Sequence, residues 1–539
     1  MRVVQVRKHA ELLFSKEHTI MADLVIKIAF LVVFFAVMMG VGIYCRKKAT
    51  DVNGFVLGGR SVGPWLTAFA YGTSYFSAVV FVGYAGQFGW KYGIAATWAG
   101  IMNAFLGSLL AWAVLGRRTR IMTQHLDSAT MPQFFGERFK STPLKLAASL
   151  IIFIFLIPYT ASLYNGLSRL FGMAFSIDYS VCVIVMAVLT AVYVIAGGYM
   201  ATAVNDFIQG LIMLFGICAV IVAVLKSQGG FMAALDSLAK VTDPAVSETP
   251  GVFASFFGPD PVNLLGVMIL TSLGTWGLPQ MVQKFYAIKN EKVINKGMIV
   301  STVFAVIVAG GCYFLGGFGR LFSDRVDIAS EGYDAIVPAM LSGLPVMLIA
   351  LVVILVLSAS MSTLASLVLT SSSTLTLDFI KTSIKKDMTD EKQLLSMRVL
   401  VGVFIVISAV IALLQYKSNV SFIAQLMGVS WGALAGAFLA PFLYGLYWKR
   451  TTKAACAVNF LFSTVVMIAN ILARSSFPKL LQSPINAGAF CMIAGLVIVP
   501  LVSVITKAPS EETVKSIFSC YERKVTVPVT DSIGTGEEA

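Results

Sequence analysis

Residues 64–86, with the sequence PWLTAFAYGTSYFSAVVFVGYAG, form a stretch long and apolar enough to cross a membrane, yet small and polar residues interrupt it near its middle. The interrupting residues are Gly72, Thr73, Ser74, Tyr75 and Ser77. Glycine lowers the cost of unwinding a helix, and exposed backbone groups at membrane depth survive only where they line a cavity or bind something. The stretch therefore predicts a discontinuous membrane helix.

A second apolar stretch, residues 270–285 with the sequence LTSLGTWGLPQMVQKF, is interrupted in the same way. Its interrupting residues are Gly274, Thr275, Gly277 and Pro279. Each interrupted helix is the first of a block of five predicted spans, and paired broken helices at corresponding positions are typical of inverted-repeat transporters. Two kinked but inert helices are the alternative.

The composition of the whole chain excludes a soluble protein. Its 539 residues are 58% hydrophobic and 12% charged, with mean hydropathy +0.84, whereas globular chains carry roughly 25% charged residues. The net charge of +13 does not indicate nucleic-acid binding, because the Lys and Arg residues lie in short clusters between apolar stretches. A polytopic membrane protein is the class that fits, and no nucleic-acid partner is predicted.

Chemistry-bearing residues argue against an enzyme. The seven cysteines are scattered without a CxxC pair, and the three histidines lie outside the apolar stretches, so we predict neither a disulfide framework nor a zinc site. No HExxH, GxSxG or cluster of intramembrane acids occurs, and no catalytic residues are predicted. A channel would need a continuous polar pore, whereas the polar groups here are localised.

About thirteen membrane helices are predicted from windows of spanning length. The windows are 23–45, 63–89, 93–116, 145–168, 178–196, 200–226, 262–285, 297–319, 344–376, 399–415, 421–447, 454–473 and 484–506. An odd number places the two ends on opposite sides. The loops richer in Lys and Arg are expected to be cytoplasmic, so we predict an amino end outside, a carboxyl end inside and a cell-membrane location.

The domain organisation follows from these windows. Residues 21–506 form the transmembrane domain, with core repeats at about 63–226 and 262–447. Residues 1–20 are an extra amino-terminal segment, either upstream of a true start at Met21 or an ordinary flexible end. Residues 507–539 are expected to be a disordered, polar cytoplasmic tail.

A run of hydroxyls occupies the ninth window, where residues 358–374 read SASMSTLASLVLTSSST. On a helix, the hydroxyls of Ser362 and Thr363 lie beside the carbonyl of Ala359. The unwound second span is placed to add the carbonyls of Thr73 and Phe76. Such a cluster of uncharged oxygens suits a small monovalent cation, although Ser and Thr also pack membrane helices without any ligand.

Asp206 is the acid that lies well within an apolar window, in ATAVNDFIQGLIM, residues 201–213. An unpaired charge in the membrane is costly, so ionisable residues there are functional candidates. We predict that Asp206 supports cation binding or lies on the ion path. The alternative is a residue at headgroup level that caps its helix near Thr202.

Four stretches together resemble the sodium:solute symporter family. They are FVLGGRSVGPWLTAFAYGTSYFSA (55–78), VIAGGYMATAVNDFIQG (194–210), GTWGLPQMVQKF (274–285) and SASMSTLASLVLTSSSTLTLDF (358–379). The resemblance covers essentially all predicted spans. It implies an all-α, five-plus-five inverted-repeat fold with discontinuous helices, and sodium entry coupled to solute uptake.

The resemblance also implies ion sites. Its sodium site falls on the carbonyls of Thr73, Phe76 and Ala359 and the hydroxyls of Ser362 and Thr363. Some members bind a second sodium through an acid matching Asp206 and two serines. Here those two positions are Ala365 and Ser366, so one ligand is missing, and we expect one sodium per solute.

The predicted solute pocket contains Tyr75, Val79, Val80, Thr275 and Trp276. The residues at the first three positions differ from those of proline and sugar carriers, whereas pantothenate permeases are similar in 277–290 and 316–322. Half-helix ends can hold a carboxylate without Lys or Arg. We therefore predict a small carboxylate-bearing solute: pantothenate, a monocarboxylate or a neutral amino acid such as proline. A sugar or polyol symporter and a transporter-derived solute sensor remain alternatives, and no protein partner is predicted.

Overall fold

The computed structural model describes residues 2–175, 178–417 and 423–522, with side chains for most of them. These residues are almost entirely helical and contain no β-strand, only two isolated bridges. The α-helices are α1 (Arg2–Cys45), α2 (Val52–Leu57), α3 (Pro64–Tyr75), α4 (Ala85–Tyr92), α5 (Thr97–Met102), α6 (Arg117–His125), α7 (Met131–Arg138), α8 (Thr142–Phe175), α9 (Tyr179–Ser227), α10 (Phe231–Ala239), α11 (Pro261–Gly277), α12 (Pro279–Tyr286), α13 (Ile294–Ala305), α14 (Gly311–Gly316), α15 (Ile328–Glu331), α16 (Ile336–Leu341), α17 (Val346–Thr374), α18 (Asp390–Lys417), α19 (Ile423–Tyr447), α20 (Lys453–Leu472), α21 (Pro484–Ile505) and α22 (Glu511–Phe518). Segments with π-helical geometry are Val79–Tyr84, Asn103–Leu110, Trp112–Gly116, Val306–Gly310 and Leu375–Ile384.

The helices fit a membrane. Within the described ranges, ten are long and apolar enough to cross it, or eleven if the bent pair α11 and α12 counts as one span. Large apolar side chains remain exposed on their outer faces, as on α1 and α18. Without a lipid-facing role, so much exposed apolar surface would promote association. The expectation of a helical multi-pass membrane protein is confirmed.

The count of thirteen spans is not reproduced, for local reasons. Window 63–89 is divided between α3 and the π-helical segment Val79–Tyr84. Helical residues then continue through window 93–116, so that Val79–His125 counts as one span. Window 178–196 forms the first part of α9, Tyr179–Ser227, and the same helix also contains window 200–226. Further along the same α9, Gly198 leaves helical geometry at φ 55°, ψ −150°, a conformation that only glycine adopts easily.

Helix α17 lies at the centre of the protein. Every residue from Val352 to Thr374 is buried, and α17 packs against α1, α3, α8, α9 and α18. A helix buried along this length is surrounded by other helices rather than by lipid. The hydroxyl run therefore faces protein on every side.

The carboxyl-terminal segment corrects the expectation of a disordered tail. Helix α22 is followed by a 3-10 turn, Ser519–Tyr521, that docks on α6. The Tyr521 hydroxyl donates a hydrogen bond to the Arg118 carbonyl (3.1 Å). The Phe518 ring centroid lies 4.8 Å from the Arg138 guanidinium, which is cation–π distance. Residues 523–539 lie outside the described part of the chain.

Candidate functional site

Two helices break inside the protein, each at one extended residue. Phe76 follows α3 with φ −85° and ψ 115°. Leu278 separates α11 from α12 with φ −75° and ψ 123°, and the two helices are bent by 43°. The entry to α3 and the exit from α12 are held together, because the Val62 backbone bonds those of Ala287 and Lys289. The two breaks thus belong to one packed unit.

The glycines expected at the breaks have other roles. Gly72 and Gly274 lie within α3 and α11, one turn before each break. A Cβ on Gly72 would lie 2.5 Å from the Phe304 ring, and one on Gly274 would lie 2.7 Å from the Trp431 ring. These glycines permit close helix packing, whereas Pro279 begins α12, where its missing N–H costs nothing.

The five predicted cation ligands lie together beside the first break. The Ser362 hydroxyl is 3.3 Å from the carbonyl oxygen of Thr73 and 3.2 Å from that of Ala359. The Thr363 hydroxyl is 3.2, 3.4 and 3.1 Å from the carbonyl oxygens of Thr73, Phe76 and Ala359. All five residues are buried. The structure thus gathers five neutral oxygens from two helices.

This cluster contains more acceptor oxygens than its two hydroxyl hydrogens can satisfy. Each hydroxyl has one hydrogen to donate, yet Thr363 faces three carbonyl oxygens and Ser362 faces two. The two hydroxyls therefore cannot satisfy every lone pair directed at them. A buried group of hard, uncharged oxygens with unused lone pairs fits a small monovalent cation.

Asp206 has a partner that the sequence did not reveal. Its side chain is fully buried, and one carboxylate oxygen lies 3.7 Å from the Lys284 ammonium on α12. The ammonium donates a hydrogen bond to the Ser366 hydroxyl (3.0 Å), which lies 3.0 Å from the Ser74 hydroxyl. The Tyr199 ring centroid lies 5.1 Å from the ammonium. Asp206 therefore lies within α9 in a buried environment beside a charged partner, and not at the end of a helix.

The sequence carried a weak signal for Lys284. The residue lies at the end of window 262–285, where a lysine suggests a side chain that reaches the membrane surface. In the structure only 3% of that side chain is exposed, because α12 continues into the protein beyond the bend. Pro279, five residues earlier, marks that bend.

The predicted solute-binding residues do not share one environment. Val79 and Val80 are buried in the π-helical segment after the first break. The Thr275 hydroxyl donates to the Gly107 or Ser272 carbonyl, both at 2.9 Å. The Trp276 indole nitrogen donates to the Leu106 carbonyl (2.9 Å). The Tyr75 side chain lies outside the described part of the structure.

Three further polar groups meet between the breaks. The Tyr159 hydroxyl lies near the Ser77 hydroxyl and the Trp431 indole nitrogen, and the Tyr159 and Trp431 rings form an edge contact at 5.9 Å. All three residues are buried, and none of these polar atoms has a hydrogen bond of normal geometry. We call Ser77, Tyr159 and Trp431 the central polar cluster. Buried polar groups left without partners cost free energy unless a ligand or water satisfies them.

A comparison with protein families decides the identity. The family model described as the sodium:solute symporter family matches residues 55–461. The chain belongs to the sodium:solute symporter family. It is a membrane transporter that couples solute movement to sodium, and the resemblance noted in the sequence is confirmed.

Relatives within the sodium:solute symporter family include proline carriers. The osmoregulated proline transporter OpuE of Bacillus subtilis is 28% identical over 498 residues, covering 91% of this chain and 97% of the relative. The sodium/proline symporter of Staphylococcus aureus is 29% identical over 454 residues, covering 81% and 84%.

A solved structure shares the fold. It is a Na⁺-coupled sialic acid symporter in a substrate-bound, outward-open state, with a TM-score of 0.70 and 17% identity. The alignment covers 90% of this chain and 99% of that protein.

Proposed function

We propose that this symporter imports a small solute that bears a carboxylate on an apolar or modestly polar body, such as proline, pantothenate or a monocarboxylate. The central polar cluster carries the proposal. It offers two hydroxyls and one indole N–H, and none of its members is charged. These groups match one carboxylate, whereas a polyol needs many more donors and acceptors.

The second broken helix supports the same solute class. Helix α12 begins at Pro279, and the positive end of its dipole lies at the break. Gln280, at its second position, is 1% exposed, and neither side-chain amide atom has a partner. An orphan amide at a helix amino end can hold an anion without a fixed positive charge. The sequence-predicted pocket of Val79, Val80 and Trp276 would contact the apolar body.

We assign the transported sodium to the carbonyls of Thr73, Phe76 and Ala359 and the hydroxyls of Ser362 and Thr363. The support is that these oxygens already lie within hydrogen-bonding distance of one another. They come from two helices, α17 and the end of α3. A bound cation would hold the first break against α17, which provides a physical link between the ion and the conformation of the carrier.

The full architecture is part of the proposal: thirteen spans, a five-plus-five inverted repeat, and alternating access with the amino end outside. The support for the inverted repeat is the near-identical backbone geometry at Phe76 and Leu278. A single cysteine at Ser247, in the loop between α10 and α11, tests the orientation. It should react with a membrane-impermeant maleimide added outside intact cells. If that cysteine reacts only after the cells are lysed, the loop is cytoplasmic and the proposed orientation is wrong.

Uptake by proteoliposomes tests the solute. Labelled proline, pantothenate and short monocarboxylates should accumulate only with an inward sodium gradient, and the methyl ester of the transported solute should not compete. Transport of glucose or myo-inositol without competition from carboxylates would refute the proposed solute class.

A tyrosine substitution tests the location. Tyr159→Phe should raise the half-saturating solute concentration about tenfold to a hundredfold, since a hydrogen bond to a charged group contributes roughly 1.5–3 kcal/mol, while the half-saturating sodium concentration changes little. Tyr164→Phe is the matched control, because its hydroxyl is on the same helix and is also buried without a partner. Equal effects of the two variants would remove the central polar cluster from the solute site.

A further inference from the structure

The Lys284 ammonium lies beside Asp206 and Ser366. These are the two side chains that the family resemblance implies for a possible second ion. In the structure, the ammonium contacts both, at 3.7 Å from the carboxylate and 3.0 Å from the hydroxyl. The Asp206 carboxylate makes no hydrogen bond of normal geometry. Within the described residues, Lys284 is the only cationic partner that Asp206 has.

A sodium ion and this ammonium would exclude each other. Ser366 has one hydroxyl oxygen, which already accepts from Lys284 and lies 3.0 Å from the Ser74 hydroxyl. Ala365 beside it is buried and supplies no side-chain oxygen. Two positive charges that share such ligands in a low-dielectric interior repel strongly. The ammonium also gains from the Tyr199 ring at 5.1 Å.

We propose that Lys284 is a tethered cation that replaces a second sodium, so that each transport cycle carries one sodium ion. This inference rests on the proposed function, because it presupposes sodium at the first site. It also predicts that a second sodium site can be restored by substitution. Removing the ammonium and restoring a hydroxyl at position 365 should create a site for a second monovalent cation.

Equilibrium binding of ²²Na⁺ to the purified full-length protein in detergent tests the proposal, because binding can be counted even in variants that do not transport. The wild type should bind one ion. The double variant Lys284→Ala/Ala365→Ser should bind two, whereas Ala365→Ser alone should bind one because the ammonium remains. Lys296→Ala is the matched control: that lysine also lies over an aromatic ring, 5.3 Å from Trp65, but is exposed, and its loss should leave the count at one.

Two ions bound to the wild type would overturn the tethered-cation proposal and leave sodium coupling intact. One ion bound to a folded, monodisperse double variant would also overturn it. If the double variant does not fold, Asp206→Asn/Lys284→Met, which contains no buried charge, decides: it should bind one ion like the wild type, and loss of that ion would place the wild-type sodium at Asp206 and overturn the proposal. A wild type that binds no sodium would refute the proposed first site, and the inference with it.

Discussion

The buried ion pair between Asp206 and Lys284 makes a quantitative prediction about stability. Asp206→Asn leaves the buried Lys284 ammonium with no countercharge, and Lys284→Met leaves a fully buried carboxylate alone. Either group must then lose its charge or draw in water. We expect both single variants to be strongly destabilised. The double variant Asp206→Asn/Lys284→Met, which contains no buried charge, should recover most of the loss.

The magnitude follows from the separation of the charges. At 3.7 Å and an effective dielectric constant of about 20, the Coulomb attraction is about 4.5 kcal/mol. Removing one partner of a buried pair typically costs about 3–5 kcal/mol, whereas replacing both by neutral side chains is often nearly neutral. The coupling free energy between the two substitutions should therefore be about 3–5 kcal/mol.

Thermal unfolding in detergent at one fixed heating rate measures the cycle, because the midpoint is then comparable between variants even where unfolding is irreversible. The exposed pair Arg117–Glu291 is the control. Its atoms are closer, at 2.6 Å, but its side chains are 72% and 43% exposed, so its cycle should give less than about 1 kcal/mol. If the two buried single-variant losses simply add in the double variant, the ion pair contributes no coupling and our interpretation of Asp206 is wrong.

Further predictions concern the ion ligands and the helix packing. Ser362→Ala and Thr363→Ala should each raise the half-saturating sodium concentration about tenfold, because a buried partner left unsatisfied costs about 1–3 kcal/mol; uptake at saturating solute measures this, and unchanged sodium dependence in both variants would contradict the site. Gly277→Ala should lower the thermal midpoint, since its Cβ would lie 2.8 Å from the Ala435 Cα, whereas Gly310→Ala, with nothing within 4 Å of its Cβ, should not.

Most of the fold was predictable, because a bilayer allows few ways to satisfy a backbone. The apolar windows predicted the helices. The run of small residues before Phe76 predicted the first broken span, and Pro279, the first residue of α12, predicted the second. Helix boundaries were mispredicted where a helix bends, as at Gly198. Hydropathy shows how apolar a segment is, but not the direction in which the chain runs. The α22 segment was missed because polar composition suggests disorder, although Phe518 and Tyr521 pack on arginines.

The proposed sodium ligands could be predicted to lie together for a different reason. The spacing of Ser362 and Thr363 places them over the Ala359 carbonyl on any helix. Only the helix that supplies the other carbonyls had to be predicted separately. Lys284 and the central polar cluster depend on which helices meet, and that information is not local. Tyr159 and Trp431 are far apart in the sequence, and each looks like an ordinary membrane aromatic.

The hydroxyls of α17 form a stripe that joins the two broken helices. Ser362 and Thr363 reach the Thr73 carbonyl at the end of α3, Ser366 one turn later reaches Lys284 on α12, and Thr370 another turn later donates to Gln283 (2.8 Å). Spacing by four residues keeps such groups on one helix face. Any rearrangement of either break relative to α17 must therefore exchange polar contacts that have no water to replace them. The proposed ion site lies at one end of this stripe and the proposed tethered ammonium at its middle. We therefore expect sodium at the first site to bias the position of both broken helices, between which we place the solute.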